Sequence, residues 1–247
     1  ILLGAVGLGA MFCLIALHVP VGIAMGVCGV TFVAFIIGWE PALTLLGTEP
    51  SAAIENEGLA VVALFLLMGA FATEAGVSAD MYRLAYAMIG HFRGGLAMAT
   101  IGGCAGFGAI CGSSVATTAT MAKIALPEML KRNYLPTLAS GSIAAGGTLG
   151  MLVPPSVVMI VYGILTEESI IALFAAAIFP GIIATVLYCI TIGIYVRFKP
   201  EAGPAGERIP WREKMSILVQ SWRFLLIAAI VSGGIYTGVF TITEAAS

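Results

Sequence analysis

The charges of this 247-residue chain are few and clumped, and the gaps between them limit what it can fold into. No Asp, Glu, Lys or Arg occurs from Ile1 to Ile37, from Leu59 to Thr73, or from Ser169 to Val196. Uncharged apolar stretches of about 18 residues or more read as membrane helices rather than core helices. Only 10% of the residues are charged and 60% are hydrophobic, against about 25% charged in an ordinary soluble domain. The mean hydropathy of +1.07 agrees. The sequence is that of an all-α membrane protein. Its net charge of −2 says little about partners, and nothing in it suggests nucleic acid.

The cysteines add little in this pattern, with Cys111 a partial exception because of where it sits. Cys13, Cys28, Cys104, Cys111 and Cys189 all lie in apolar segments without metal-ligand spacing. They read as small packing residues. The first apolar run is followed by further spans, so it is read as a helix and not as a cleaved signal.

The chain divides into ordered segments. Ile1–His18 and Val21–Trp39 are spans separated at Pro20, and Glu40–Glu57 is more polar, with Pro41 and Pro50. Leu59–Ala75 spans again, and Ser78–Phe92 has the mixed pattern of a helix lying along the interface. Two short apolar arms, a Pro-interrupted span and the run Ser169–Val196 follow. A polar loop from Arg197 to Trp222 precedes a last span, Phe224–Phe240. Trp211 and Trp222 would suit an interface helix within that loop.

Basic residues orient these segments. Arg197, Lys199, Arg208, Arg212, Lys214 and Arg223 place their loop in the cytoplasm by the positive-inside rule. Counting back puts Glu167 and Glu168 outside, Lys131, Arg132, Arg93 and Arg83 inside, and the acidic Glu40–Glu57 stretch outside. This holds only if the two arms between Arg93 and Lys131 enter and leave on the cytoplasmic face.

Those arms are short. Leu96–Ile110 has 15 residues and Val115–Leu130 has 16, about 22 and 24 Å of helix, against a hydrocarbon core of about 30 Å. Between them lies Cys111-Gly112-Ser113-Ser114. A re-entrant hairpin with its tip near mid-membrane fits these lengths. Two short full spans with an outer turn would satisfy the charge rule equally, and only arm length favours the hairpin. Irregular backbone at that depth must line a cavity or be buried in protein. The tip offers the hydroxyls of Ser113 and Ser114, carbonyls around Gly108–Gly112, and the N-terminal dipole of the second arm. Oxygens suit a small cation and amides an anionic substrate. Ser and Gly in membrane helices are also common packing residues, and the dipeptide alone favours that role.

The next segment shifts the balance. Leu138–Ile164 contains Gly146-Gly147-Thr148-Leu149-Gly150-Met151-Leu152-Val153-Pro154-Pro155-Ser156. Pro154 and Pro155 cannot donate to the carbonyls of Gly150 and Met151, so two acceptors are expected to be freed deep in the membrane. Val153 is expected to lose its helical bond as well. Discontinuous helices of this kind hold sodium in many secondary transporters, whereas a plain proline kink is the competing account. A polar tip and a broken helix in succession favour the ion site.

Other polar residues weigh less. Lys123 sits about 12 Å deep in the second arm, where an intramembrane role competes with snorkelling. Glu74 and Glu244 lie near span ends, and His18 and His91 near interfaces. Thr117, Thr118 and Thr120 follow the tip, where bonding back to the helix is the common role. An intramembrane serine protease would need His18 or His91 within reach of Ser113 or Ser114, and the topology puts both about half a membrane away. A purely structural scaffold would not explain two adjacent helix breaks.

Several ordered pieces together resemble the large membrane subunit of TRAP transporters, the tripartite ATP-independent periplasmic carriers. They are Gly58 to Gly76 with the arm after it, Gly90-His91-Phe92-Arg93-Gly94-Gly95, Gly112-Ser113-Ser114-Val115-Ala116 and Lys131-Arg132-Asn133-Tyr134. Gly150 to Ser156, Val161-Tyr162-Gly163 and the stretch Gly238 to Ala246 complete the set. The resemblance implies the ion-transporter superfamily fold, two inverted repeats each with a re-entrant hairpin and a broken helix. It implies scaffold and interfacial arm helices over 1–94 and a transport part over 95–166, with the hairpin at 95–130 and the broken helix at 135–166. A membrane helix at 167–196, a cytoplasmic loop at 197–222 and the start of the second repeat at 223–247 would follow.

The resemblance further implies import of small organic acids with sodium by an elevator motion in the bacterial inner membrane. A periplasmic substrate-binding protein would deliver the acid, and a small membrane subunit would brace the scaffold. Sodium would be held by Gly108, Cys111, Gly150, Val153 and Pro154, largely through carbonyls. Substrate would meet Gly112, Ser113, Ser114, Thr117, Pro155 and Ser156. The family often carries Ser where this chain has Cys111. Relative to the family the second repeat is missing, so the 247 residues alone are not expected to transport. A stand-alone sodium- or proton-coupled carrier of the same superfamily is the alternative.

Overall fold

The computed structural model describes residues 2–55, 57–206, 208–241 and 244. Among these residues the chain is helical and has no strand. It divides into two compact units, residues 1–59 and 60–247. Within the motif Gly238–Ala246, residues 242, 243, 245 and 246 lie outside the described residues.

The first unit holds α1 (Leu2–Ala16), α2 (Val21–Ile37) and α3 (Trp39–Glu55). Pro20 lacks the amide that would continue α1 and stands at the N-cap of α2. Gly7 faces the ring of Phe32, 3.4 Å from where its Cβ would lie, and brings α1 against α2. The polar Glu40–Glu57 stretch is helical despite the internal Pro50. The first two helices have 15 and 17 residues, fewer than the roughly 20 needed to cross a bilayer upright.

The second unit takes in α4 (Glu57–Glu74) from Ala60 onward, and α5 (Val77–Ile89). The two meet at a 66° bend. Gly76 makes the corner with φ +76°, a conformation costly for a residue with a Cβ. One face of α5 buries Val77, Ser78, Met81 and Tyr82, while Asp80 and Arg83 face away from full burial. Then come α6 (Gly95–Cys111) and α7 (Ser114–Lys131), the two arms expected from the sequence. The broken helix consists of α8 (Pro136–Leu152) and α9 (Val157–Thr166), bent by 41°. The 29-residue α10 (Ile170–Phe198) is long and apolar enough to cross a membrane alone, and each bent pair passes the same test as one span. After it stand α11 (Trp211–Gln220), within the segment expected to be a loop, and α12 (Trp222–Thr237).

The core of this unit forms around α6. That helix is apolar on every side and buries Leu96, Ala97, Ile101, Cys104, Phe107 and Ile110, as a helix without a polar face must. Met121, Ala125 and Met129 of α7 and Leu138, Ala139, Ile143 and Leu149 of α8 complete the cluster. Small residues let the helices close on one another. A Cβ at Gly146 would lie 2.8 Å from Cys104 Sγ, and one at Gly147 would collide with Thr118 Oγ1.

The open end of the hairpin is tied by residues 199–206. The amide of Gly94 donates to Gly203 O at 2.9 Å, that of Leu135 to Ala202 O at 3.0 Å, and that of Gly206 to Gly90 O at 3.1 Å. Tyr134 Oη accepts from the Leu96 amide at 3.2 Å and donates to Pro204 O at 2.8 Å. Burial pushes the Tyr134 phenol above the usual tyrosine range, and the Leu96 amide pulls it the other way.

Candidate functional site at two facing helix breaks

The first break follows from Gly112. Its φ of +62° ends α6, and its amide closes that helix on Gly108 O at 2.8 Å. Ser113 is extended and caps α7, its hydroxyl accepting from the Ala116 amide at 3.4 Å. The Ser113 hydroxyl is thus engaged by the helix it starts. Thr118 bonds back to Ser114 O at 2.7 Å, the role expected of these threonines.

The second break lies directly against the first. The Val157 amide, which would serve Val153 in an unbroken helix, donates instead to Gly112 O at 3.2 Å. Gly108 packs on Gly150 so closely that a Cβ on Gly108 would lie 2.6 Å from Gly150 Cα. A Cβ on Gly112 would lie 3.1 Å from Pro155 O and 3.1 Å from Val157 N. A Cβ on Gly150 would lie 2.6 Å from Thr117 Oγ1 and 2.9 Å from Ser113 O. The fold therefore brings Gly108, Gly112, Ser113, Thr117, Gly150, Pro155 and the start of α9 together.

One expectation about the freed groups is corrected. The Met151 carbonyl is not free: Ser156 Oγ donates to it at 2.7 Å, and Ser156 is buried. That serine replaces a missing backbone donor with a side-chain one. The Val153 amide keeps its helical bond to Leu149 O at 2.8 Å. What the break leaves without a helical donor among the described residues is the Gly150 carbonyl, whose donor would have been residue 154, the Leu152 carbonyl, whose donor would have been Ser156, and the Val153 carbonyl, whose donor has gone to Gly112.

Thr117 lies otherwise than the sequence suggested. Thr117 is wholly buried at 0% exposure, and its hydroxyl has no hydrogen-bond partner among the described residues. It is enclosed against Gly150 rather than presented to open space. The Cys111 side chain points toward α4, its Sγ 3.0 Å from where a Gly69 Cβ would be. Only its backbone is available to the break. Ser114 is half-buried, and Pro154 and Pro155 are buried. Lys123 is exposed.

A buried hydroxyl without a partner costs about 1–3 kcal/mol, so its presence at this break needs a reason. Oxygens of carbonyl and hydroxyl type are the donor set of a small hard cation, and this cluster fits such an ion. His91 lies in the turn at the opposite end of the arms, its ring 4.0 Å from that of Phe92. The sequence carried a signal for the close approach, since glycines recur on α6 and α8. Nothing in it marked Thr117 over Thr118.

Paired discontinuous helices meeting inside a bundle of apolar helices recur among membrane carriers. The sequence matches the family described as "Tripartite ATP-independent periplasmic transporter, DctM component" over residues 8–247, and the chain belongs to that family. It is 39% identical to the C4-dicarboxylate TRAP transporter large permease protein DctM of Pseudomonas aeruginosa over 221 residues, 85% of this chain and 51% of the relative. It is 35% identical to the DctM protein of Vibrio cholerae over 93% of this chain and 50% of that one. The ectoine TRAP transporter large permease protein TeaC of Halomonas elongata is 31% identical over 96% of this chain and 55% of its own. The chain thus spans about half the length of the curated relatives it matches. These relatives are permeases and not enzymes, which removes the serine protease alternative.

Proposed function

We propose that this chain forms the first inverted repeat of the large membrane subunit of a sodium-coupled carrier for small organic acids. The apposition of the two breaks supports this most strongly: the Gly112–Val157 hydrogen bond and the Gly108–Gly150 contact join them, and a Thr117 hydroxyl without a partner among the described residues faces Gly150. A sodium ion travelling as cargo would take the Gly150 and Val153 carbonyls and the backbone of the hairpin tip. The Thr117 hydroxyl would join them. The amides that open α7 and α9 would favour the carboxylate of the acid, with Ser114 beside them.

The relatives' names support an organic solute and not a particular one, since they include C4-dicarboxylates, ectoine and sialic acid. Family membership supports a periplasmic binding protein and a small membrane subunit as partners in the inner membrane. Interlocked packing of hairpin and broken helix supports movement of 95–166 as one body, the requirement of an elevator.

The test is uptake into proteoliposomes by the full-length subunit with both partners, with external sodium varied against potassium. Uptake needing sodium and the binding protein supports the proposal. Uptake driven by a proton gradient and indifferent to sodium would sink the ion assignment. Uptake without the binding protein would favour a stand-alone carrier.

A further inference from the structure

We infer that a cleft between α5 and α7 holds the headgroup of an amino-phospholipid, with Arg83 taking its phosphate and Glu128 its ammonium. The inference goes beyond the carrier proposal and shares with it only the placing of Lys131 and Arg132 at the cytoplasmic face.

The cleft has a volume of about 340 Å³, within the range of small-molecule pockets. Ala79, Tyr82, Arg83 and Tyr86 of α5 make one wall, and Ile124 and Glu128 of α7 make the other. The first four recur at helical spacings of three and four and the last two at a spacing of four, so each helix turns one face to the cleft.

Charge is arranged across it as a dipole. Arg132 donates from Nε to Glu128 Oε1 at 2.9 Å and from Nη1 to Tyr86 Oη at 2.8 Å, which fixes the carboxylate on the α7 wall. On the α5 wall Arg83 is exposed. Among the described residues it makes no ion pair, either with Glu128 or with Asp80 one turn before it. Tyr82, next to Arg83, is only 6% exposed, and its hydroxyl has no partner among the described residues.

The arrangement selects a ligand class. A simple anion would meet Glu128 and a simple cation would meet Arg83, whereas a zwitterion satisfies both. Guanidinium groups pair with phosphate through parallel N–H bonds, and a carboxylate accepts hydrogen bonds from a primary ammonium. A quaternary ammonium would need an aromatic cage, and the Arg132 guanidinium already lies 5.1 Å from the Tyr86 ring. A lipid fits better than a soluble zwitterion because of where the apolar wall stands. Ile124 is one turn from Glu128 on the side away from Lys131, about 6 Å along the helix. The apolar end of the cleft is therefore the end nearer the membrane centre, where acyl chains lie.

Native mass spectrometry of the full-length subunit tests this. The protein is exposed in detergent to equal amounts of phosphatidylethanolamine, phosphatidylcholine and phosphatidylglycerol, and the lipid it retains is counted. One phosphatidylethanolamine is expected to be kept in preference to both others. Arg83→Gln should lower its retention about tenfold, the loss of one charge-assisted contact. Glu128→Gln should abolish the preference over phosphatidylglycerol. Since that variant also strips Arg132 of a partner, the comparison with phosphatidylcholine in the parent tests the ammonium end without it. Equal retention of the three lipids, or unchanged retention in Arg83→Gln, would overturn the site and leave an ordinary lipid annulus. Soluble phosphoethanolamine carries the same two charges without acyl chains and should not displace the lipid. Displacement at equal concentration would overturn the lipid assignment in favour of a soluble zwitterion. None of these readouts depends on uptake, so a failure of the transport proposal is seen separately.

Discussion

The amide of Val157 donates to the carbonyl of Gly112 at 3.2 Å, so the residue that restarts the broken helix is bonded to the residue that ends the first hairpin arm. Forty-five positions apart in sequence, the two breaks are one place in the fold. Each supplies what the other lacks: a carbonyl left open by a left-handed glycine, and an amide released by a proline pair.

The Gly108–Gly150 contact sets how closely the breaks can meet. Gly108→Ala or Gly150→Ala is expected to destabilise the folded subunit by about 1–3 kcal/mol, the usual cost of overpacking, and to abolish uptake. Gly141→Ala is the control on the same helix as Gly150. Nothing lies within 4 Å of its Cβ position, so it should be neutral or stabilising by up to about 1 kcal/mol. Thermal unfolding in detergent with parallel uptake assays checks all three.

Thr117→Val separates a structural hydroxyl from a ligand one. With no partner for the hydroxyl among the described residues, its removal should leave sodium-free stability unchanged or raise it by about 1–3 kcal/mol. The same variant should require at least tenfold more sodium for half-maximal uptake, and Thr117→Ser should recover most of that loss. Equal sodium dependence in Thr117→Val and the parent would exclude the hydroxyl from the ion site.

Ser156 has a structural task at the second break. Ser156→Ala removes the 2.7 Å bond to Met151 O and leaves a carbonyl unserved where water is scarce. A loss of about 1–3 kcal/mol is expected, read as a lower unfolding temperature with the sodium dependence of surviving uptake unchanged.

Tyr134 ties the base of the hairpin to the strap at 199–206 through two hydrogen bonds. Tyr134→Phe should cost about 1–3 kcal/mol at neutral pH. Burial raises the phenol's pKa in the folded state, so folding favours its protonated form. That contribution is complete below the unfolded value of about 10 and is lost as pH rises from there through the folded value. The stability gap between parent and Tyr134→Phe should therefore be constant below about pH 9 and narrow above about pH 10. A gap that widened with alkalinity would contradict the arrangement.

The helices themselves were legible because their signals are local. The arms expected at Leu96–Ile110 and Val115–Leu130 appear as α6 and α7, and the interruption at Pro154-Pro155 falls where the missing amides require it. The polar Glu40–Glu57 stretch was less legible, since its acids and prolines do not prevent a helix from forming there. The satisfaction of Met151 O by Ser156 also escaped the sequence. Backbone accounting tells which donors are lost, and the side chain that replaces one depends on how the chain turns after the break.

The sequence by itself determined that the chain belongs in a membrane, that its central arms are short, and that a polar glycine tip and a double-proline break follow one another. Those features come from hydropathy, from helix rise per residue and from the absence of amides in proline, all of them properties of a segment alone. Only the tertiary structure decided that the two breaks touch, that the Thr117 hydroxyl and not that of Ser113 is left without a partner among the described residues, and that the Cys111 side chain faces Gly69 of α4. Those depend on the rotation of α6 and α7 against α8 and α4. Close packing of glycines fixes that rotation, and it acts between residues far apart in the chain.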